Sequence, residues 1–346
     1  GSEDQTVRLW NTATGTSRKT LTGHKGTVWS VAYSPDGKTL ATGSEDKTVR
    51  LWNTATGTPR KTLTGQTEAV NAVTYSPDGK TLVISSDLGT VRLWDMATGT
   101  FRETLTDHTD TVWSVAYSPD GKTLATGSED KTVRLWNTAT GTPRKTLTGH
   151  TDIVWSVAYS PDGKTLATGS DDQTVRLWNT ATDTSRKTLT GHKGTVSAVA
   201  YSPDGKTLAT GSDDQTVRLW NTATGTHHKT LTGHTNAVWS IVYSPDGKTL
   251  ATGSWDQTVR LWNTATDTSR ETLTGYTEAV WSVVYSPDGR TLATGSGDQT
   301  VRLWNAYVFG PKEAETKICS ALHRNLTKEE RAAYLPDQAV DPVCVY

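Results

Sequence analysis

The chain has 346 residues, and its 35 lysine and arginine residues nearly balance its 36 aspartate and glutamate residues, giving a formal net charge of −1. This balance gives no reason to expect nucleic acid or an anionic membrane as a partner. Apolar residues make up 34% of the chain, and no apolar run approaches the roughly 18 residues that a membrane helix requires. The sequence therefore predicts a soluble protein. It begins without Met and inside a repeat, so we expect a fragment of a longer protein, with a cytoplasmic location.

A tryptophan recurs every 42 residues along most of the chain. The series is Trp10, Trp52, Trp94, Trp136, Trp178, Trp220, Trp262 and Trp304, and each member ends the phrase T-V-R-L-W. So strict a period over residues 1–305 is typical of a repeat protein and favours binding over catalysis.

Four strands are predicted in each repeat, for example in residues 24–65. Residues 27–33 (T-V-W-S-V-A-Y) are rich in β-branched and aromatic side chains, and the turn S-P-D-G follows directly. Residues 39–43, 48–52 and 60–64 supply the second, third and fourth strands. One such sheet is too small to be stable alone and is apolar on both faces. The copies must therefore stack, and a ring of sheets, a β-propeller, buries both faces.

The repeat resembles that of the WD40 family. A Gly-His pair, an Asp in the turn before the third strand and a Trp closing that strand recur across residues 1–305. The family's name dipeptide is mostly absent, because Asn follows Trp except at Trp94-Asp95. With seven first strands, the resemblance implies an all-β, seven-bladed β-propeller of four-stranded antiparallel blades.

Closure of the ring is ambiguous, since the third strand occurs eight times for seven places. Residues 5–11 and 299–305 both read Q-T-V-R-L-W-N. We expect the N-terminal strand, residues 18–22, to close the last blade by pairing with the strands in residues 279–304. The reverse arrangement is the alternative.

The resemblance also implies a hydrogen-bonded set of four side chains inside each blade. Five sets are complete: His24/Thr42/Asp46/Trp52, His108/Thr126/Asp130/Trp136, His150/Thr168/Asp172/Trp178, His192/Thr210/Asp214/Trp220 and His234/Thr252/Asp256/Trp262. A hydroxyl, an imidazole and a carboxylate suggest a catalytic triad, but five copies favour a structural role over a single nucleophile site. The second repeat has Gln66, Ile84 and Leu88 at these positions and the seventh has Tyr276 in place of His, so these blades should be the least rigid or reshaped for contact.

Three positions vary between otherwise near-identical copies, and all three belong to one face of a propeller. Directly after the Gly-His pair stand variable triplets such as K-G-T and T-D-I. The start of the first strand carries Trp29, Asn71, Trp113, Trp155, Ser197, Trp239 and Trp281. The turn before the third strand carries Glu45, Asp87, Glu129, Asp171, Asp213, Trp255 and Gly297. We expect five tryptophans around the channel mouth with acids farther out, a combination that suits a cationic group of a partner. The alternative is that these tryptophans pack against each other and fill the channel top.

The other variable stretch, between the third and fourth strands, carries several arginines and is expected to be a solvated rim. His227-His228 within it lacks further ligands at metal spacing, so no metal site is predicted.

Beyond the repeats, residues 306–346 are predicted to be a tail with two short helices packed on the propeller. Pro311 with the acids after it begins one helix, and a capping pattern at Thr327 begins another. Cys319 and Cys344 could form a disulfide or remain reduced thiols. The phrases R-N-L-T-K-E-E and A-Y-L-P are similar to tails that follow WD40 arrays in large bacterial multidomain signalling proteins.

Together these features favour a recognition protein without enzymatic activity. We expect a scaffold, the sensor part of a larger bacterial protein, that binds a protein or peptide on the tryptophan-rich face. The alternative is capture of a small ligand or glycan on the same face. No phosphate loop, metal cluster or unrepeated acid-base pair points to an enzyme or a cofactor, and acids beside the aromatic ring disfavour nucleic acid.

Overall fold

The computed structural model describes residues 6–11, 16–276, 278–296 and 301–305, and every regular element within them is a β-strand. Two N-terminal strands, β1 (Thr6–Asn11) and β2 (Thr16–Thr22), pair with each other. Six four-stranded antiparallel sheets, here called blades 1 to 6, follow in chain order. A three-stranded sheet comes last.

The strands of blades 1 to 3 are β3 (Val28–Tyr33), β4 (Thr39–Ser44), β5 (Val49–Asn53), β6 (Pro59–Leu63), β7 (Val70–Tyr75), β8 (Thr81–Ser86), β9 (Val91–Asp95), β10 (Thr100–Leu105), β11 (Val112–Tyr117), β12 (Thr123–Ser128), β13 (Val133–Asn137) and β14 (Pro143–Leu147). Those of blades 4 to 6 are β15 (Val154–Tyr159), β16 (Thr165–Ser170), β17 (Val175–Asn179), β18 (Thr184–Leu189), β19 (Val196–Tyr201), β20 (Thr207–Ser212), β21 (Val217–Asn221), β22 (His227–Leu231), β23 (Val238–Tyr243), β24 (Thr249–Ser254), β25 (Val259–Asn263) and β26 (Thr268–Leu273). The last sheet contains β27 (Val280–Tyr285), β28 (Thr291–Ser296) and β29 (Val301–Asn305).

The S-P-D-G phrase makes the turn between the first and second strands of each blade. In blade 1, Ser34 Oγ donates to Asp36 Oδ1 over 2.6 Å, and the backbone N–H of Thr39 donates back to Ser34 Oγ over 2.9 Å. Gly37 has φ +68°, a left-handed conformation that glycine adopts without steric cost. The turn therefore satisfies its own polar groups and fixes the register of the hairpin.

Apolar side chains of neighbouring blades form one continuous core at each joint. Between blades 1 and 2, Leu51 and Leu63 pack with Val73, Leu82 and Trp94. The second strand lies very close to the next blade: a Cβ at position 43 would be 2.5 Å from Val70 Cγ1. Only glycine therefore fits at this position. Joints of this kind explain why an isolated blade would not be stable.

The blades form a ring in which first strands are innermost and fourth strands are outermost. β3, β7, β11, β15, β19, β23 and β27 contact one another in this order, and β27 also contacts β3. The fourth strands are exposed along most of their length, as in blade 1, where only the last residue, Leu63, is buried. The three-stranded sheet thus lies between blade 6 and blade 1.

The expectation of seven four-stranded blades with a helical tail is wrong. The described residues form an all-β propeller with six blades, and no described residue is helical. The last sheet has three strands, and β2 pairs with its sequence neighbour β1, with Val7 opposite Leu21. The described part of the chain therefore contains no helix that could cross a membrane.

The N-terminal strand nevertheless lies at the joint between the last sheet and blade 1. Leu21 is buried in one cluster with Ala293 of β28 and with Val28 and Leu40 of blade 1. Pairing of residues 18–22 with the last sheet stays a prediction, as do the domain limits 1–305 and 306–346. The chain divides into compact units at residues 1–304 and 305–346. The predicted tail helices, Cys319 and Cys344 lie outside the described residues.

Candidate functional site

One rim of the propeller, here called the upper rim, collects the loops before the first strands and the turns between the second and third strands. The two kinds of segment are bonded to each other: the backbone N–H of Glu45 donates to Thr27 O over 2.9 Å, and that of Asp171 donates to Ile153 O over 2.9 Å. The described variable positions of the first strand and of this turn therefore lie at one face. The opposite face, the lower rim, carries the turns between first and second strands and the loops between third and fourth strands.

Beneath the upper rim, the structure brings together the four side chains of each complete set. In blade 1, Trp52 Nε1 donates to Thr42 Oγ1 over 3.0 Å, Thr42 Oγ1 lies 2.7 Å from His24 Nε2, and His24 Nδ1 lies 2.9 Å from Asp46 Oδ2. The sets that begin with His108, His150, His192 and His234 repeat this chain with distances of 2.6–3.0 Å. Each hydrogen-bonded set links the second and third strands of its blade with the loop before the first strand and the turn before the third strand.

The protonation states of these groups suit a structural chain. Burial lowers the pKa of His24 although the bond to Asp46 opposes the shift, so the ring is neutral and Nε2 accepts from the Thr42 hydroxyl. Burial alone would raise the pKa of Asp130, but hydrogen bonds from His108 and Thr132 hold it well below its ordinary value. The polar atoms of the set then have partners.

The threonines of the five complete sets are inaccessible, which argues against a nucleophile site. Each of them has no solvent exposure, and each Oγ1 already accepts a bond from the tryptophan of its set. A substrate or a partner could reach such a hydroxyl only by breaking the interior of the blade. Burial therefore argues against a nucleophile role for the hydroxyls of Thr42, Thr126, Thr168, Thr210 and Thr252, and their structural role stays a prediction.

Blade 2 shows what the departures from the pattern do. Ile84 replaces the threonine, and Trp94 Nε1 is buried with no hydrogen-bond partner among the described residues. Gln66 Nε2 is likewise buried without a hydrogen-bond partner among the described residues. Leu88, which replaces the aspartate, is 62% exposed. In the last sheet, the hydroxyl of Tyr276 lies 2.5 Å from Thr294 Oγ1, so tyrosine keeps one bond that histidine makes elsewhere.

The rim tryptophans form one packed cluster, here called the Trp cluster, instead of an open ring. Its six members are Trp29, Trp113, Trp155, Trp239, Trp255 and Trp281, and each has a ring centroid 4.7–5.8 Å from at least one other member. Trp239 is central, since it contacts Trp155, Trp255 and Trp281. The rim tryptophans therefore pack on one another across several blades.

Ser197 makes the contact across blade 5 possible. It stands where most blades have Trp, is buried, and donates to Val238 O over 2.8 Å. Above it, Trp155 of blade 4 meets Trp239 of blade 6 edge to face, at 5.3 Å between centroids. The small residue thus belongs to the packing of the cluster.

The acids of the upper rim are in part bonded to the neighbouring first strand. Trp155 Nε1 donates to Asp171 Oδ1 over 2.9 Å, and Trp113 Nε1 donates to Glu129 Oε2 over 3.3 Å. The side-chain amide of Asn71 donates to Asp87 Oδ1 over 2.8 Å. The remaining acids of the series, Glu45 and Asp213, are exposed, and Gly297 lies outside the described residues.

Two tryptophans of the cluster remain accessible. Trp29 is 37% exposed and Trp255 is 39% exposed. Trp281 contacts both, at 5.6 Å and 5.3 Å, so the two accessible rings belong to one aromatic surface. The sequence signal for this exposed aromatic surface was Trp255, the one tryptophan among the residues of the turns before the third strands.

The described arginines at the lower rim are exposed, as expected of a solvated rim, but their contacts with neighbouring blades were not predicted from the sequence. Arg144 donates to the hydroxyl of Thr123 and to Thr180 O of the next blade. His227 and His228 belong to this stretch, and among the described residues no group of His, Cys, Asp and Glu could hold a metal ion.

Comparison with known proteins identifies the repeat. Residues 131–306 match the family described as WDR3 first beta-propeller domain, and residues 15–53, 57–95 and 99–137 match the family described as WD domain, G-beta repeat. The chain is 54% identical over 41 residues to Coronin-7 of Mus musculus, 55% over 40 residues to Ribosome assembly protein 4 of Chaetomium thermophilum, and 50% over 40 residues to Nuclear distribution protein PAC1 of Mycosarcoma maydis.

These similar stretches are 12% of this chain and span 4%, 8% and 9% of the respective relatives. The relatives are eukaryotic, so the expected bacterial context finds no support here. The predicted WD40 repeats, in contrast, are confirmed. The chain belongs to the WD40-repeat β-propeller family, whose members are typically protein-interaction scaffolds without enzymatic activity.

Proposed function

We propose that this propeller is a non-catalytic recognition scaffold that binds a protein or peptide segment on the upper rim. The observation that carries the proposal is the aromatic surface around Trp29, Trp281 and Trp255. Two of its rings are exposed, whereas the other tryptophans whose side chains are described are buried or half-buried. Tryptophan is the residue most enriched at binding hot spots.

The packing of the Trp cluster changes where a partner would bind. Since Trp239 contacts both Trp155 and Trp281, we expect a side chain of the partner to lie on the cluster instead of entering the channel. The accessible faces of Trp29 and Trp255 are the surfaces that remain for such a contact.

A cationic group of the partner fits best beside Trp29. Glu45 is exposed, and no described residue hydrogen-bonds its carboxylate, whereas the equivalent Glu129 and Asp171 accept bonds from Trp113 and Trp155. An exposed indole face next to a free carboxylate attracts Lys or Arg through both the ring quadrupole and the charge. We therefore propose a partner segment with a cationic side chain at this point.

Peptide arrays and glycan arrays probed with the full chain test this function. We expect peptides with Lys or Arg near an apolar residue to bind, and binding to be lost in the double variant Trp29→Ala/Trp255→Ala. Phe101→Ala is the matched control, because Phe101 is an exposed aromatic residue, 48% accessible, on a fourth strand away from the rim. Glu45→Gln should weaken cationic peptides selectively.

Binding that survives the double variant would refute the upper-rim proposal. Glycan binding that depends on the same two tryptophans would instead favour the alternative, since exposed indole faces also stack on sugars. The sensor role within a larger bacterial protein and the cytoplasmic location stay proposals from the sequence alone.

A further inference from the structure

Arginines of the fourth strands bridge neighbouring blades at the lower rim. Arg60 Nη1 donates to Thr39 Oγ1 of its own blade over 3.0 Å. Arg144 makes the equivalent bond to Thr123 over 3.3 Å, and its Nη2 donates to Thr180 O of blade 4 over 3.0 Å. The carboxylate of Asp183 lies 3.4 Å from the same nitrogen. A guanidinium is thus held between the second strand of one blade and the third–fourth loop of the next.

A tyrosine at the end of each following first strand lies at the same joint. Burial raises the pKa of these tyrosines, and in five joints an arginine of the preceding blade opposes the shift. The pairs are Tyr75 with Arg60, Tyr117 with Arg102, Tyr159 with Arg144, Tyr201 with Arg186, and Tyr285 with Arg270. In each of these joints, a positive charge of the preceding blade therefore acts on the buried tyrosine.

The joint between blades 5 and 6 has no arginine. His228 stands at the position of Arg186, and its Nε2 lies 3.3 Å from Asp267 Oδ2. In consequence Thr207 Oγ1, the counterpart of the threonines that accept from arginine, has no hydrogen-bond partner among the described residues. Asp267 stands at the position that Gly225 has in blade 5. Relative to the joint of blades 4 and 5, one positive charge is removed and one negative charge is added, a change of −2 when His228 is neutral.

A cavity of about 480 Å³ occupies this joint. Its polar lining includes Asp204, Asp246, Asp267 and Thr207, and its apolar lining includes Leu219 and Trp262. At the joint of blades 4 and 5, the corresponding cavity has about the same volume, 490 Å³, but is lined by Arg186, so the two joints differ in charge and not in size. Asp204 also has an exposed ion pair with Lys206 at 3.6 Å, but Asp162 and Lys164 form the same pair at 3.9 Å, so this contact does not distinguish the joints.

The surroundings of Tyr243 indicate that the cavity lacks a cation. Its side chain lines the cavity and is only 8% exposed, and no described residue hydrogen-bonds its hydroxyl. Burial raises the pKa of Tyr243, and Asp267 and Asp204 push it in the same direction, with no arginine to oppose them. Tyrosines of the other joints also lack a hydrogen-bond partner, so the missing positive charge is what sets this joint apart. The Asp267 carboxylate, which here faces a histidine in place of an arginine, and Thr207 Oγ1 are acceptors that a bound cation with N–H donors would satisfy.

We propose that the joint between blades 5 and 6 binds a guanidinium group supplied from outside the chain. The joint of blades 3 and 4 shows the arrangement, since Arg144 donates to Thr123 Oγ1, to Thr180 O and to the Asp183 carboxylate. The counterparts of these acceptors here are Thr207 Oγ1, the carbonyl oxygen of Thr264 and the Asp267 carboxylate. A planar guanidinium can donate to several separated acceptors at once, whereas the compact ammonium of lysine cannot. The group belongs to an arginine side chain of a protein segment or to a small guanidino compound, and the cavity has room for its alkyl stem.

Isothermal titration calorimetry of the full chain with L-arginine amide, L-citrulline amide and L-lysine amide tests this proposal. We expect one equivalent of arginine amide to bind and citrulline amide, which has the same shape without the charge, to bind at least about tenfold more weakly. His228→Arg places a guanidinium of the chain itself on these acceptors and should abolish binding. Arg144→His recreates the open joint next to Asp183, so this variant should bind a second equivalent.

Asp267→Asn keeps the shape of the side chain and should weaken arginine amide about tenfold or more, with circular dichroism melts showing that each variant is folded. Stronger binding of an acetylated arginine tripeptide than of agmatine indicates a protein source, and the reverse indicates a small molecule; either result supports the site. Equal binding of arginine and citrulline amides, or unchanged binding in His228→Arg, would overturn it. Because the joint is at the lower rim, its failure leaves the upper-rim function untouched.

Discussion

Replacing Thr168 by valine tests whether the hydrogen-bonded sets hold the blades together. Thr168 has no solvent exposure, and its Oγ1 lies 2.7 Å from His150 Nε2 and accepts a 3.0 Å bond from Trp178 Nε1. Valine has nearly the same shape, so the change leaves no large cavity but removes the partner of two buried polar groups. Each such group costs about 1–3 kcal/mol, and we expect a loss of about 2–4 kcal/mol in the free energy of unfolding.

Ile84→Val is the matched control for this substitution. It lies at the same position of blade 2, where Trp94 Nε1 already lacks a partner, and it removes one methylene, a change that costs about 0.5–1.5 kcal/mol. Urea unfolding gives the total loss, and amide exchange over residues 154–178 shows whether the loss is local to blade 4, since repeat arrays need not unfold in one step. If Thr168→Val costs no more than Ile84→Val, the sets do not stabilise the blades.

Three other measurements test contacts elsewhere in the fold. Amide exchange should be faster in residues 66–94 than in blades 3 to 5, because blade 2 contains unpartnered Gln66 and Trp94 groups; equal protection would contradict this. The temperature of unfolding should fall on acidification. Burial lowers the pKa of His24, and hydrogen bonds outweigh burial to lower that of Asp130, so the unfolded chain takes up protons first, near pH 6.5 for histidine and near pH 4 for aspartate. A flat profile from pH 7 to pH 3 would exclude this linkage. Trp239→Ala should destabilise the fold by about 3–5 kcal/mol and more than Trp113→Ala, which breaks one ring contact instead of three; the comparison of urea midpoints and near-ultraviolet circular dichroism checks it.

The elements within one repeat could be predicted well from the sequence. The predicted strands 27–33, 39–43, 48–52 and 60–64 correspond to strands observed at Val28–Tyr33, Thr39–Ser44, Val49–Asn53 and Pro59–Leu63. Alternating apolar residues and the S-P-D-G turn act within a few residues of each other, so each copy specifies its own hairpins. The partners inside each set of four followed from the family resemblance, and their distances agree with hydrogen bonds.

Contacts between repeats were harder to predict, because they depend on side chains that lie far apart in the chain. Trp155 and Trp239 contact each other across the blade in which the small residue Ser197 replaces Trp. The repeat pattern does not predict the orientation of an indole ring beside such a small residue. The guanidinium contacts at the lower rim likewise join residues 36 to 39 positions apart. From the sequence alone, a charged residue on an exposed strand is predicted to contact only solvent, because the loop of the next blade is distant in the chain.

The prediction of seven four-stranded blades was wrong for a related reason. Residues 5–11 and 299–305 are identical, so side-chain chemistry gives neither copy an advantage in the last sheet. Chain connectivity favours the observed pair of β1 and β2, which are separated by four residues, whereas pairing β2 with the last sheet would join opposite ends of the array. Closing the short loop costs less entropy than closing the long one. The burial of Leu21 against Ala293 shows that the apolar contact at this joint forms even though the strands pair locally, so packing and hydrogen bonding at the joint are satisfied by different partners.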